Sequence, residues 1–236
     1  MGISTTGWLA LALLALVFFS LWRLWRAMGI ANEVDWGRPW MNRLDGLNRL
    51  FCWRFHRLQA DCIELPDQGP AILAANHISG LDPLLLIAAS PRPLRFIIAS
   101  EQYHRFGLTW LFRAVGCIPV DRQGRPERAF RAALKALAEG EVVALFPHGK
   151  IHLDSEPPRR LKQGAVRLAQ LAHCPITPVR LEGIKGQGRI FLPVLLRARA
   201  RIDNFPPLTC DGLEASACLH LLQQRLDAKD RWQVQG

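Results

Sequence analysis

The chain opens with a hydrophobic run unlike anything that follows it. No charged side chain occurs from Ile3 to Trp22, and Trp8 to Trp22 is almost wholly apolar. Twenty helical residues cover about 30 Å, the thickness of a bilayer's hydrocarbon core, so a membrane-anchoring helix is predicted. Trp8, Trp22 and Trp25 lie near its ends, where amphipathic rings favour the headgroup region. A cleaved signal peptide would need a basic start and a small-x-small site, and neither is evident. A shallow interfacial or re-entrant helix stays open as an alternative to a full span. Arg23, Arg26, Arg38 and Arg43 follow the run, so the positive-inside rule predicts that the remainder is cytoplasmic. Next, Met41, Leu44, Leu47, Phe51, Phe55 and Leu58 recur at helical spacing with Arg43, Arg49, Arg54 and Arg57 between them. This predicts a basic amphipathic helix lying in the lipid interface, with packing on a core as the alternative. Residues 1–60 therefore read as a membrane anchor and interfacial helix, and residues 61–236 as a globular domain.

Beyond the turn-rich Leu65 to Pro70, short apolar runs alternate with helical patterns. Strands are predicted at Ala71 to Ala75, Leu94 to Ala99, Cys117 to Val120, Glu141 to Phe146 and Ile176 to Leu181. Leu108, Leu111, Phe112 and Val115 mark one helix face, and Phe130, Ala133, Leu134 and Leu137 mark another; Val166, Ala169 and Leu171 sit in a third helix that ends before Pro175. Leu213 to Leu226 reads as a closing helix. The rhythm predicts an α/β domain with a largely parallel, buried sheet flanked by helices.

Charge and cysteine content narrow the partners. Thirty Lys and Arg against twenty Asp and Glu leave a net charge of +10. Such a balance favours nucleic acid, an anionic membrane surface or a phosphorylated substrate. The six cysteines are scattered without a C-x-x-C pair and read as reduced thiols. No G-x-S-x-G elbow, phosphate-binding P-loop or G-x-G-x-x-G fingerprint occurs.

One constellation remains. Directly after the first predicted strand comes Asn76-His77-Ile78-Ser79-Gly80-Leu81-Asp82-Pro83. A histidine at a strand's end, with a carboxylate five residues on, can act as a general base whose tautomer the carboxylate fixes. The nucleophile would then be a substrate hydroxyl. Asp82 followed by Pro83 also reads as a plain helix N-cap, and the two roles do not exclude each other.

These residues resemble the glycerolipid acyltransferases typified by lysophosphatidic acid acyltransferase. Asn76, His77 and Asp82 match that family's Asn-His-x4-Asp block, and Gly116, Ile118, Val120, Asp121 and Arg122 match Gly-x-Ile-x-Val-Asp-Arg. Phe146-Pro147-His148-Gly149-Lys150 partly matches Phe-Pro-Glu-Gly-Thr-Arg-Ser. Leu161 to Gly164 fits the Phe-Lys-x-Gly helix start, and Ile176 to Val179 fits the apolar Pro-Val strand. The blocks stand in the family's order over about residues 70–183. The resemblance implies a glycerol-3-phosphate acyltransferase-like fold and a catalytic domain over 61–236. It implies acyl transfer from acyl-CoA or acyl carrier protein to a lysophospholipid hydroxyl, lysophosphatidic acid first among acceptors. His77 and Asp82 become the catalytic residues, and Asn76, Arg122, Pro147, His148, Gly149 and Lys150 the substrate-binding ones. The donor is a substrate, and neither a cofactor nor a metal is implied.

His148 stands where the family carries glutamate, Ile151 where it carries arginine, and Ser100 where many members carry lysine. The changed charges predict an altered phosphate-binding mode or another acceptor, such as a different lysophospholipid or an amino-acid lipid. A catalytically silent lipid- or carrier-binding protein on the same fold is the rival from another class. His148 and His152 have the spacing of a metal pair, but no carboxylate or cysteine completes a set. With no recognition motif for nucleic acid, the positive charge is assigned to the membrane surface.

Overall fold

The structure is a computed structural model and describes residues 5–105 and 107–227. Helix α1 (Thr5–Ala31) contains the apolar run and buries no residue within the protein. At 27 residues and mean hydropathy 1.9 it is long and apolar enough to cross a bilayer. It crosses α2 (Pro39–Leu50) at close range, because a Cβ on Gly46 would fall 1.7 Å from the Met28 carbonyl oxygen. Arg43 locks the crossing by donating to the Trp25 carbonyl at 2.6 Å and lying 4.6 Å from that residue's ring centre.

Helix α2 runs into a π-helical turn (Phe51–Phe55), and its observed faces differ from the expected ones. Met41 and Leu58 are buried, but Leu44, Leu47 and Phe55 are exposed. Arg49, expected among the interleaved surface cations, is buried instead. Asp45 one turn earlier (2.8 Å), Glu33 (2.5 Å) and the carbonyls of Ala88 and Ser90 satisfy its guanidinium. The segment thus packs one face on the domain and leaves Trp40, Trp53 and Phe55 outside.

The domain is a seven-stranded sheet in the order β1-β7-β6-β2-β5-β3-β4. Its strands are β1 (Gln59–Ala60), β2 (Ala71–Ala75), β3 (Leu94–Ala99), β4 (Ile118–Val120), β5 (Val142–Leu145), β6 (Ile176–Glu182) and β7 (Arg201–Asn204). All neighbours run parallel except β6 and β7. The three central strands β6, β2 and β5 are buried on both faces, as continuous apolar runs in parallel sheets are. Period-two alternation divides β2 between two cores. Leu73 and Ala75 meet Leu85 and Leu86 of α3 (Asp82–Ala89). Ile72 and Ala74 face Ala133 and Leu137 of α6 (Pro126–Ala138), Val166 of α7 (Gly164–Ala172) and Leu222 of α9 (Ala215–Asp227). Shorter helices α4 (Ser100–Tyr103), α5 (Thr109–Val115) and α8 (Leu192–Leu195) complete the connections.

Four cysteines are free, and burial pushes the thiols of Cys52 and Cys117 up to about 12 and that of Cys174 to about 11. The expectation of six thiols is corrected at Cys210 and Cys218, which form a disulfide with Cα atoms 5.7 Å apart. The loop after β7 returns Cys210 against the first turn of α9, a proximity that spacing alone did not reveal.

Candidate active site

Strand β2 ends in the middle of the sheet, with β5 and β6 hydrogen-bonded on either side. The carboxyl ends of parallel strands at such a place form the usual ligand crevice of open α/β sheets. His77 is the second residue beyond β2, and its side chain is 19% exposed. Its Nδ1 lies 2.7 Å from Oδ2 of the fully buried Asp82. A carboxylate at that distance requires the proton on Nδ1, which leaves the Nε2 lone pair as the base.

Asp82 is held firmly. Its Oδ2 also accepts from the backbone N–H groups of Ile78 (2.7 Å) and Ser79 (2.9 Å), and its Oδ1 accepts from the Ser79 hydroxyl (2.6 Å). Asp82 opens α3 with Leu81 as the capping residue, and no side chain caps the helix. The carboxylate turns back to the His77 loop, so the plain N-cap reading is replaced. Ser79, which the sequence reading passed over, is a buried positioning residue bonded to both Asp82 and the Leu81 N–H. Its signal was a hydroxyl three residues before the motif aspartate.

The turn after β5 meets this loop from the neighbouring strand. The Phe146 ring stacks on His77 with centroids 4.1 Å apart and planes 15° apart, and the His152 N–H donates to the His77 carbonyl at 2.7 Å. Phe146 to Gly149 closes a tight turn through a 2.9 Å bond, with Gly149 at φ +75°. The left-handed backbone favours glycine there, and the Lys162 side chain lies close, its Cε 2.6 Å from where a Cβ would stand. The exposed Lys162 side chain lies against this turn.

His148 is buried, its Nδ1 finds no hydrogen-bond partner, and its ring lies 5.1 Å from that of His152. Burial holds its pKa below the ordinary imidazole value, with the nearby His152 acting in the same direction. His148 therefore enters the site neutral near pH 7.

His77, Asp82, Pro147, His148 and Gly149 are thus gathered at adjacent strand ends. Three expected substrate contacts are not. Asn76 donates to the Leu181 carbonyl at 2.9 Å and accepts from the Leu181 N–H at 2.7 Å, so its buried amide straps β2 to β6. One bond at each end of the amide gives Asn76 a structural role, whatever its part in binding. Arg122 follows β4 at the sheet edge, three strands from β2 or roughly 14 Å at ordinary strand spacing, and is exposed. Lys150 is exposed as well. Arg180 of β6, also unforeseen, is buried. Asp154 (2.5 Å), Glu182 (2.8 Å) and the Leu226 carbonyl engage its guanidinium. It borders a cavity of about 330 Å³ with Ile78, Asp154 and Glu182, beside the His77 loop. Among the described residues no group of three His, Cys, Asp or Glu side chains is arranged to hold a metal ion.

Residues 60–182, more than half of the chain, match the family model described as Acyltransferase. The chain belongs to the acyltransferase family. Among curated relatives, the N-acylphosphatidylethanolamine synthase of Arabidopsis thaliana is 33% identical over 126 residues, 49% of this chain and 44% of that protein. The 1-acyl-sn-glycerol-3-phosphate acyltransferase of Bacillus subtilis is 26% identical over 128 residues, 54% of this chain and 63% of that protein. The matched region thus spans about half the length of these relatives. The crystal structure of the lysophosphatidic acid acyltransferase PlsC from Thermotoga maritima superposes with a TM-score of 0.63 at 20% identity. It covers 91% of this chain and 90% of that one. That likeness establishes the acyltransferase fold, with its mostly parallel sheet flanked by helices.

Proposed function

We propose that this acyltransferase-family protein moves a fatty acyl chain from an acyl-CoA or acyl carrier protein thioester to the free hydroxyl of a lysophospholipid at a cytoplasmic membrane face. The observation that carries the reading is the His77–Asp82 pair at the end of the central strand. In the step itself, Nε2 of His77 takes the hydroxyl proton as the oxygen attacks the thioester carbonyl. The tetrahedral oxyanion then collapses, the C–S bond breaks, and the imidazolium returns its proton to the departing thiolate. Phe146 shields one face of the imidazole and Asp82 stabilises its charged form. The left-handed turn at Gly149 lets the backbone approach the developing oxyanion. No metal or prosthetic group is needed, because the thioester supplies a fair leaving group. The apolar α1, with Arg23 and Arg26 in its last turns and Arg38 and Arg43 beyond it, supports the membrane placement.

Lysophosphatidic acid is the acceptor favoured by the relatives named for it. A second reading, another lysolipid or an amino-headed lipid, is supported by two observations. The neutral His148 takes the place of a carboxylate, and one relative is named for acylating an ethanolamine lipid. The test is thiol release and product mass spectrometry with mixed donors over a lysolipid panel. Acylated product lost in His77→Ala supports the reading; a hydrolytically and synthetically silent wild-type protein overturns it. An undiminished preference for lysophosphatidic acid removes the second reading.

A further inference from the structure

A second concave feature lies beyond the carboxyl end of β6. Arg57, Lys185, Arg197 and Arg199, with Gly183 and Ala198, line an open cleft of about 460 Å³. Among the described residues its lining holds four cations and no carboxylate. Glu182, which precedes Gly183 in the chain, is engaged by Arg180 at 2.8 Å and Arg201 at 2.6 Å. The walls are built from distant segments tied by backbone bonds, Ala200 N–H to the His56 carbonyl and Gln59 N–H to the Ala200 carbonyl. Arg57 holds a left-handed φ of +47° to take its position. A bulky residue in that conformation is uncommon and costly.

The segments that supply the cleft's cations also carry exposed apolar side chains. Leu195 is 74% exposed and Phe191 52%, with Leu192 between them, shortly before Arg197, and the exposed Trp53 and Phe55 precede Arg57. Leu192 and Leu196 pack close to Gly186, next to Lys185. The same segment covers the His77 loop, since Gly188 N–H donates to the Ile78 carbonyl and Gly80 N–H to that of Arg189. Cations set among exposed aromatic and aliphatic side chains are the chemistry of an anionic lipid interface.

We infer a second bilayer contact, on the domain itself: the cleft of Arg57, Lys185, Arg197 and Arg199 takes phosphate groups of anionic phospholipids while Phe191, Leu192 and Leu195 enter the interface. This contact seats the end of the sheet that carries His77, the carboxyl end of β2 and β6, against the membrane. The inference rests on the membrane placement proposed above, and the experiment separates the two.

Full-length protein with Cys62→Ser carries an environment-sensitive dye at Leu195→Cys or, as a control in α1, at Val17→Cys. Each is reconstituted into vesicles containing nitroxide-labelled lipid, of phosphatidylcholine alone or with phosphatidylglycerol. Quenching at position 195 is expected to be at least twofold greater with phosphatidylglycerol, and the difference is expected to vanish in Arg57→Gln/Lys185→Gln/Arg197→Gln/Arg199→Gln. The double variant Lys185→Gln/Arg197→Gln gives a partial loss and covers failure of the quadruple variant to fold. Thiol release in detergent stays at the parent level in both if the effect is local. Quenching at position 17 with none at 195 overturns the inference and leaves the anchor standing; no quenching at either overturns both. Unchanged quenching with a raised KM for acyl-CoA overturns it in favour of a donor site.

Discussion

Asp82→Asn is the most informative single substitution. The carboxylate accepts four hydrogen bonds, from His77 Nδ1, the N–H groups of Ile78 and Ser79, and the Ser79 hydroxyl. An amide offers one acceptor oxygen where two stood, and its NH2 must face at least one of these donors. If the oxygen keeps the backbone N–H groups, the amide donates towards the serine, and His77 loses the charge that stabilises its imidazolium. If the amide nitrogen faces His77, the imidazole is driven into the tautomer with its proton on Nε2, which cannot act as a base. Either way general-base assistance is lost, worth about 10²- to 10⁴-fold, or about 2.7–5.4 kcal/mol in the barrier. A buried donor left without a partner costs about 1–3 kcal/mol of stability besides. The assay is thiol release from acyl-CoA with saturating lysolipid, alongside thermal unfolding in detergent. Loss of kcat with KM nearly constant is expected, and Asp82→Asn/His77→Gln should be scarcely slower than His77→Gln alone, because the two residues act as one unit. A well-folded Asp82→Asn protein turning over within threefold of the parent would refute the reasoning.

Asn76→Ala should lower stability by about 1–3 kcal/mol for each Leu181 backbone group it abandons, while KM for both substrates stays unchanged; a selective rise in acceptor KM would restore a substrate contact. Burial holds His56 and His148 below their ordinary pKa values, so the unfolded chain binds protons more readily. Their contribution to stability is therefore complete above about pH 6.5 and is lost as pH falls through the folded-state values. Unfolding midpoints from pH 8 to 5 should show this decline, and a slope unaltered by His148→Gln would remove that residue as a source. Brief alkylation of the native protein should modify the exposed Cys62 ahead of Cys52, Cys117 and Cys174, whose buried thiols resist ionisation. Peptide mass spectrometry showing equal labelling of all four would contradict the packing.

The sequence made the central strands legible because each is an apolar run buried on both faces; β2 and β3 fall on their expected residues, and β4, β5 and β6 within one residue of them. Strands β1 and β7 escaped notice for the opposite reason. They have two and four residues, and in Arg201–Asn204 only Ile202 is buried, so no periodicity rises above the charged background. The burial of Arg49 was not legible because the groups that satisfy it, Glu33 and the carbonyls of Ala88 and Ser90, lie 16 to 41 residues away; the π-helical turn shifts the helical phase only from Phe51 onward. His77 and Asp82 were readable as a pair because one short loop holds both. The strap made by Asn76 was not legible because its partner lies 105 residues away, and Arg180 escaped notice because its partners come from three separate segments.

That long-range strap has a temporal consequence. The loop bearing the base is completed only when β6 and the segment through Arg189 have emerged and docked, so a nascent chain cannot assemble it early. Contacts of such sequence separation form late and slowly, whereas the apolar α1 precedes the whole domain in the chain. Under the function proposed above, the chain meets lipid before it acquires the means to modify it, and chain termination upstream of Leu181 should leave a polypeptide that keeps α1 but is inert.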